Sequence, residues 1–156
     1  MSEGPNRGSR NRIVAFAAGG LLSIAADRPL VKKNPSRRVT SYAAGLVAAA
    51  IVYPVAHIGR PSGSDVLTRE WTAVLATTAV FIGAITLPKQ WATGLTAIGW
   101  IAHAAFDHAH ERGTSSRLPR WYPALCAGYD VGVATLLCVP RPPSASARGP
   151  EPVNRL

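Results

Sequence analysis

Residues 99–110, Gly-Trp-Ile-Ala-His-Ala-Ala-Phe-Asp-His-Ala-His, carry three of the chain's four histidines. A helix turns by about 100° per residue, so His103, Asp107 and His110, at i, i+4 and i+7, share one face while His108 points away. Two imidazoles and a carboxylate on one stripe suit three kinds of work: holding a divalent metal, passing protons, or locking helices together through a buried polar network. Tyr122, Cys126, Tyr129 and Asp130 form a second stripe, at i, i+4, i+7 and i+8. Asp130 lies near the centre of an apolar segment, where an ionisable side chain costs about 2.5–3.5 kcal/mol on insertion scales and therefore turns inward to a partner.

The elements that must position these side chains are long apolar segments. Charged residues make up 16% of the 156-residue chain and hydrophobic ones 47%, and the charges sit in the tails and connections. Segments at 41–59, 71–87, from Trp91 to the histidine stripe, and 121–139 each approach the length of about 20 residues that crosses a bilayer. The fold class expected is all-α: a polytopic transmembrane helical bundle of four full spans, preceded by a short apolar helix over 13–26. That short run has three readings: a fifth span, a signal peptide cleaved after Ser23-x-Ala25, or an interfacial or re-entrant helix. A retained helix is favoured, because nothing soluble follows that would need export. Residues 1–12 read as a disordered tail, 13–139 as the bundle, and 140–156 as a disordered Pro-rich tail. The connection 27–40 is strongly basic and broken by Pro29 and Pro35, 60–69 reads as a loop, and Pro54 should kink the second segment. Trp71, Trp91 and Trp121 each begin a segment, where aromatic belts belong. Cys126 and Cys138 stand about 18 Å apart on one helix and cannot pair with each other there.

The net charge of +9 raises nucleic acid as a partner. The basic residues lie between apolar runs, where positive-inside topology already accounts for them, so the partner expected is the lipid bilayer and not nucleic acid. With four spans, twelve Lys and Arg fall on one side and five on the other, which places 27–40 and the C-terminal tail in the cytoplasm of a multi-pass cell-membrane protein. If the first segment also spans, the split becomes nine against eight and the bias vanishes.

The second and fourth segments run one way and the third and fifth run back, so one membrane face gathers His57, Glu70, His103, Asp107, His110 and, deeper, Asp130. His103 lies about 10 Å below the outer end of its helix, and Asp130 about 13 Å below Trp121, so the two could meet. As a metal site, His103, His110 and Asp107 are the candidate ligands of a divalent ion such as zinc. Glu70, Asp107 and Asp130 are the candidate catalytic carboxylates, as ligand or general base, with Tyr122, Cys126 and Tyr129 as a supporting polar network. Taken alone, His57 reads as an interfacial histidine and Glu70 as a solvated residue at a helix start.

The strings Gly99-Trp100-x-x-His103-x-x-x-Asp107-x-x-His110 and Pro119-x-Trp121-Tyr122-Pro123-x-x-Cys126-x-x-Tyr129-Asp130 resemble those of a family of small, uncharacterised bacterial integral membrane proteins. Glu70 is similar to the acidic residue that opens an earlier helix in that family. Phe106 departs from it, since similar proteins often carry Trp before the Asp. The resemblance implies a compact helical bundle in the membrane and brings no established activity. The expectation is therefore a small integral membrane protein of unassigned biochemistry with a His/Asp/Glu cluster near one face, either a monomer or a homo-oligomer. A metal-dependent intramembrane hydrolase and a proton or small-solute transporter component are the alternatives.

Overall fold

A computed structural model describes residues 5–33, 35–59, 63–110 and 118–139, the side chains of residues 5–7 and 110 excepted. The described residues form α1 (Pro5–Lys33), a single 3-10 turn (Pro35–Arg37), α2 (Arg38–Ala56), α3 (Ser64–Thr86), α4 (Lys89–His110) and α5 (Tyr122–Cys138). They make a five-helix bundle with no strand. The expected tail at 140–156 lies outside the described residues.

Two boundaries differ from the sequence expectation. The first helix is not the short run 13–26 but 29 residues long, taking in Pro5–Arg12, assigned above to the tail, and continuing through Pro29. The connection 27–40 therefore shrinks to about one turn between helices. Similarly, α3 starts at Ser64, six residues ahead of Glu70, so that half of the expected 60–69 loop is helix. The middle of α1 is held by tertiary packing, since α1 lies along α5 more extensively than any other two helices lie together, while residues 8–12 are exposed. Local helix signals are weak beside such a contact.

Close approach of backbones makes that contact. A Cβ on Gly19 would strike the Leu125 carbonyl, and one on Gly128 the Phe16 carbonyl, while Gly132 sits under Ser23. Gly128 and Gly132 are four apart, the small-xxx-small spacing that lets two helices pack backbone to backbone. The register Phe16–Gly128 and Ser23–Gly132 makes α1 and α5 parallel. Leu46 and Val80 both lie over Gly99, and Leu95 lies over Gly83, so α4 packs against α2 and antiparallel to α3. The centre is filled by Tyr42, Leu46, Ala97, Trp100, Val133, Ala134 and Leu137. The start of α1, α3 and α5 and the end of α2 and α4 thus share one end of the bundle. Gly59, at φ +75°, turns the chain out of α2 at that end, a left-handed conformation glycine adopts without strain.

Two helical stretches, Gly8–Lys33 and Pro35–Ala56, are long and apolar enough to cross a membrane, with mean hydropathies of 1.4 and 1.7. α5 is apolar but shorter. The interior carries polar groups: Asp27, Arg38, His57, Glu70, His103, Asp107 and Asp130 are all buried.

Candidate functional site

His103 on α4 meets Asp130 on α5, with Nδ1 2.9 Å from the Asp130 Oδ2. Asp107, one turn along α4, places its Oδ1 3.6 Å from the same nitrogen. The Tyr53 hydroxyl of α2 donates to that Asp107 oxygen at 2.6 Å. Three helices therefore contribute to one buried group, in which Asp107 is 0% and Asp130 1% exposed. An aromatic surround holds the imidazole: Trp100 lies 6.5 Å and Phe106 6.0 Å from it, centroid to centroid, and Phe106 also meets the Tyr53 ring edge-on at 5.4 Å.

One ligand atom from each of His103, Asp107 and Asp130 lies within 4.8 Å of the others, so the group could hold a metal ion. Tetrahedral zinc, with bonds of about 2.0–2.1 Å, sets its ligand atoms about 3.3 Å apart, between the 2.9 and 3.6 Å that separate His103 Nδ1 from Asp130 and from Asp107. Two buried atoms of the group, His103 Nε2 and Asp107 Oδ2, have no hydrogen-bond partner. An unsatisfied buried polar atom costs about 1–3 kcal/mol, and these two are distinct from Nδ1 and Asp107 Oδ1, the atoms that have the zinc spacing. When the neutral imidazole donates Nδ1–H to Asp130, Nε2 carries the lone pair. That carboxylate–imidazole pairing is the one that orients histidine as a metal ligand or a base.

Glu70 is not the solvated residue expected from its position, and His57, expected as an interfacial histidine, is buried beside it. Glu70 is fully buried and His57 4% exposed, and His57 Nδ1 lies 2.8 Å from Glu70 Oε1. The early start of α3 is the reason: Glu70 falls in its second turn, on the face packed against α2. His57 Nδ1 also lies 3.2 Å from the Tyr53 carbonyl, so Tyr53 stands between this pair and Asp107. The structure thus gives Glu70 to His57 and leaves His103, Asp107 and Asp130 as the cluster. The side chain of His110, proposed above as a ligand, lies outside the described residues. Tyr122, Cys126 and Tyr129 are half-buried, with the Tyr129 ring against Trp100 at 5.7 Å. Both cysteines are free.

A second polar centre, at the opposite end, escaped the sequence reading. Arg38 Nε donates to Asp27 Oδ1 at 2.7 Å, and its Nη2 donates to the Leu136 carbonyl at 2.8 Å. Tyr42 adds a bond to the same Asp27 oxygen at 2.9 Å. Leu136 is among the last residues of α5, whose carbonyls lack intrahelical donors, so Arg38 caps α5 while pairing with α1. The signal was present: an acid at the end of one apolar run and a base at the start of the next.

The Tyr53 bond gives a direct test of the cluster's contribution to stability. Tyr53→Phe removes one hydrogen bond to a buried carboxylate and should destabilise the purified chain by about 1.5–3 kcal/mol, measured by denaturant unfolding. A change within error would mean that the hydroxyl and Asp107 do not meet in solution. No family model, curated protein or solved structure matches the chain.

Proposed function

We propose that the chain is a multi-pass membrane protein whose buried His103–Asp107–Asp130 group binds a divalent cation, zinc being the ion that suits one imidazole and two carboxylates. The observation that carries the reading is that His103, Asp107 and Asp130, all buried, bring one ligand atom each within 4.8 Å of the others, in a group that also leaves His103 Nε2 and Asp107 Oδ2 unpartnered. Two carboxylates beside one imidazole also leave the group in want of positive charge, and a divalent cation provides it. The activity that fits is metal-dependent hydrolysis: His103, Asp107 and Asp130 would hold the ion, and the chemistry it would supply is activation of water.

The membrane part of the reading is supported by the inversion of the usual surface. The ionisable residues named above point inward, while Ile13, Leu21, Leu75, Ile82, Ile98 and Ile101 are exposed along the helix exteriors. At 23 and 22 residues, α3 and α4 extend about 33 Å, the thickness of a hydrocarbon core. Trp71 and Trp121 fall at one end of the bundle and Trp91 at the other, all exposed, as two interfacial belts would be. With α1 parallel to α5 along its length, five spans are favoured over four. The basic residues then divide nine to eight, so the charge bias that put 27–40 and the C-terminal tail in the cytoplasm disappears. The likeness to small bacterial integral membrane proteins belongs with this reading, as does a cell-membrane location.

Metal content of the purified full chain is the test. The parent should retain about one zinc per chain after exposure to zinc and washing, whereas His103→Ala and Asp130→Asn should lower affinity at least tenfold. A parent that binds no divalent metal would end the proposal. A second reading, proton handling, is favoured by the run of polar groups Glu70–His57, Tyr53–Asp107 and His103–Asp130 through the helix interior. It expects proton flux in reconstituted vesicles that Asp107→Asn abolishes, with no metal bound.

A further inference from the structure

His103 also forms part of the wall of a groove of about 410 Å³ between α3 and α4. The α3 side of the groove runs from Thr68 to Val80, so it extends about 18 Å along the helix. Its threonines are spent: Thr68 bonds back to Ser64, Thr72 to Thr68 and Thr77 to Val74, each through its hydroxyl to a backbone carbonyl. Methyl groups, Ala73, Ala76 and Val80 therefore make an apolar trough. Two polar groups remain in it. Arg69 is exposed near the start of α3 and has no carboxylate partner among the described residues. His103, buried to 4% exposure, forms part of the wall. The register of Val80 against Gly99 sets His103 level with Ala76, about 10 Å further along α3 than Arg69.

We infer that this groove binds one acyl chain of an anionic phospholipid from the surrounding bilayer, with the phosphate at Arg69 and the chain running past His103. The inference rests on the membrane reading above and extends it, by naming the class of molecule that reaches the candidate metal group. Charge complementarity selects the headgroup, since Arg69 lies where α3 meets the same end of the bundle as Trp71. Length and apolarity select the acyl chain, because the trough is too long and too poor in polar partners for a small polar solute. Such a chain would lie against the His103 side chain, which puts a lipid beside the cluster without passing through water.

The test uses the full chain reconstituted in phosphatidylcholine vesicles carrying a minor fraction of phosphatidylglycerol with a diazirine at mid-chain. After illumination, adducts are mapped by peptide mass spectrometry. Adducts should concentrate on Ala73, Ala76 and Ala102, above Leu75 and Ile98, which face outward beside the groove. Arg69→Gln, at an exposed position that does not threaten the fold, should lower groove labelling about fivefold, the equivalent of about 1 kcal/mol for one basic side chain near an anionic headgroup. Ala76→Trp, which fills the trough, should abolish it while leaving Leu75 labelled. Even labelling of groove and outer positions, or groove labelling indifferent to both substitutions, overturns the inference and leaves the membrane reading standing. Absence of adducts anywhere on the helices overturns both.

Discussion

Gly128→Val is expected to detach α1 from the bundle. A Cβ at this position would meet the Phe16 carbonyl inside contact distance, and the obstacle is backbone on both sides, so no rotamer change relieves it. The helices must move apart along their length, because Gly19 under Leu125 and Gly132 under Ser23 form part of the same close contact. Overpacking a filled core costs about 1–3 kcal/mol, and a backbone collision belongs at the upper end. Cysteine pairs placed on α1 and α5 give a direct readout: cross-linking should be efficient in the parent and lost in the variant. Gly94→Ala is the control, since its Cβ meets nothing within 4 Å. It should leave cross-linking intact and gain up to about 1 kcal/mol of helix propensity. Equal cross-linking in Gly128→Val and parent would show that α1 does not pack on α5 through these glycines.

Removal of Arg38 should cost still more. Its guanidinium lies against Asp27 in a pair whose side chains are 10% and 7% exposed, and it caps the end of α5 through the Leu136 carbonyl. Deleting one partner of a buried ion pair typically costs about 3–5 kcal/mol, because the other charge stays buried after losing its counter-ion. Arg38→Met keeps most of the side-chain volume, so the loss would be electrostatic and not a cavity. The double variant Asp27→Asn/Arg38→Met removes the residual charge and should recover a large part of the stability, measured by denaturant unfolding. Equal stability of single and double variants would mean that Asp27 is not buried in the folded protein.

The two buried centres sit at opposite ends of the bundle and differ in what they leave over. In the Asp27–Arg38–Tyr42 group the guanidinium satisfies a carboxylate and a carbonyl at once, and it joins α1, α2 and α5. The His103 group joins α2, α4 and α5 through comparable bonds yet keeps an imidazole nitrogen and a carboxylate oxygen unpartnered. That difference separates the group that is purely structural from the one offered here as functional.

Local spacing determined a good deal by itself. The i, i+4 placement of His103 and Asp107 follows from helical geometry alone, and both side chains are buried on one face. The all-helical class follows equally from long apolar segments divided by Pro, Gly and charged residues. The approximate depths of His103 and Asp130 were also legible, because rise per residue is fixed. Which faces meet is another matter, since it depends on the register between helices far apart in sequence. Glu70 and His57 each look ordinary along the chain, and become a buried pair only because α3 begins a turn and a half early and packs on α2. Likewise the composition of residues 5–12 and 27–33 argues for tail and loop, yet both belong to one continuous helix whose middle, from Phe16 to Ser23, is held against α5 by glycine contacts. Helix faces are written in the order of residues; the partners of those faces are chosen by how closely two backbones can approach.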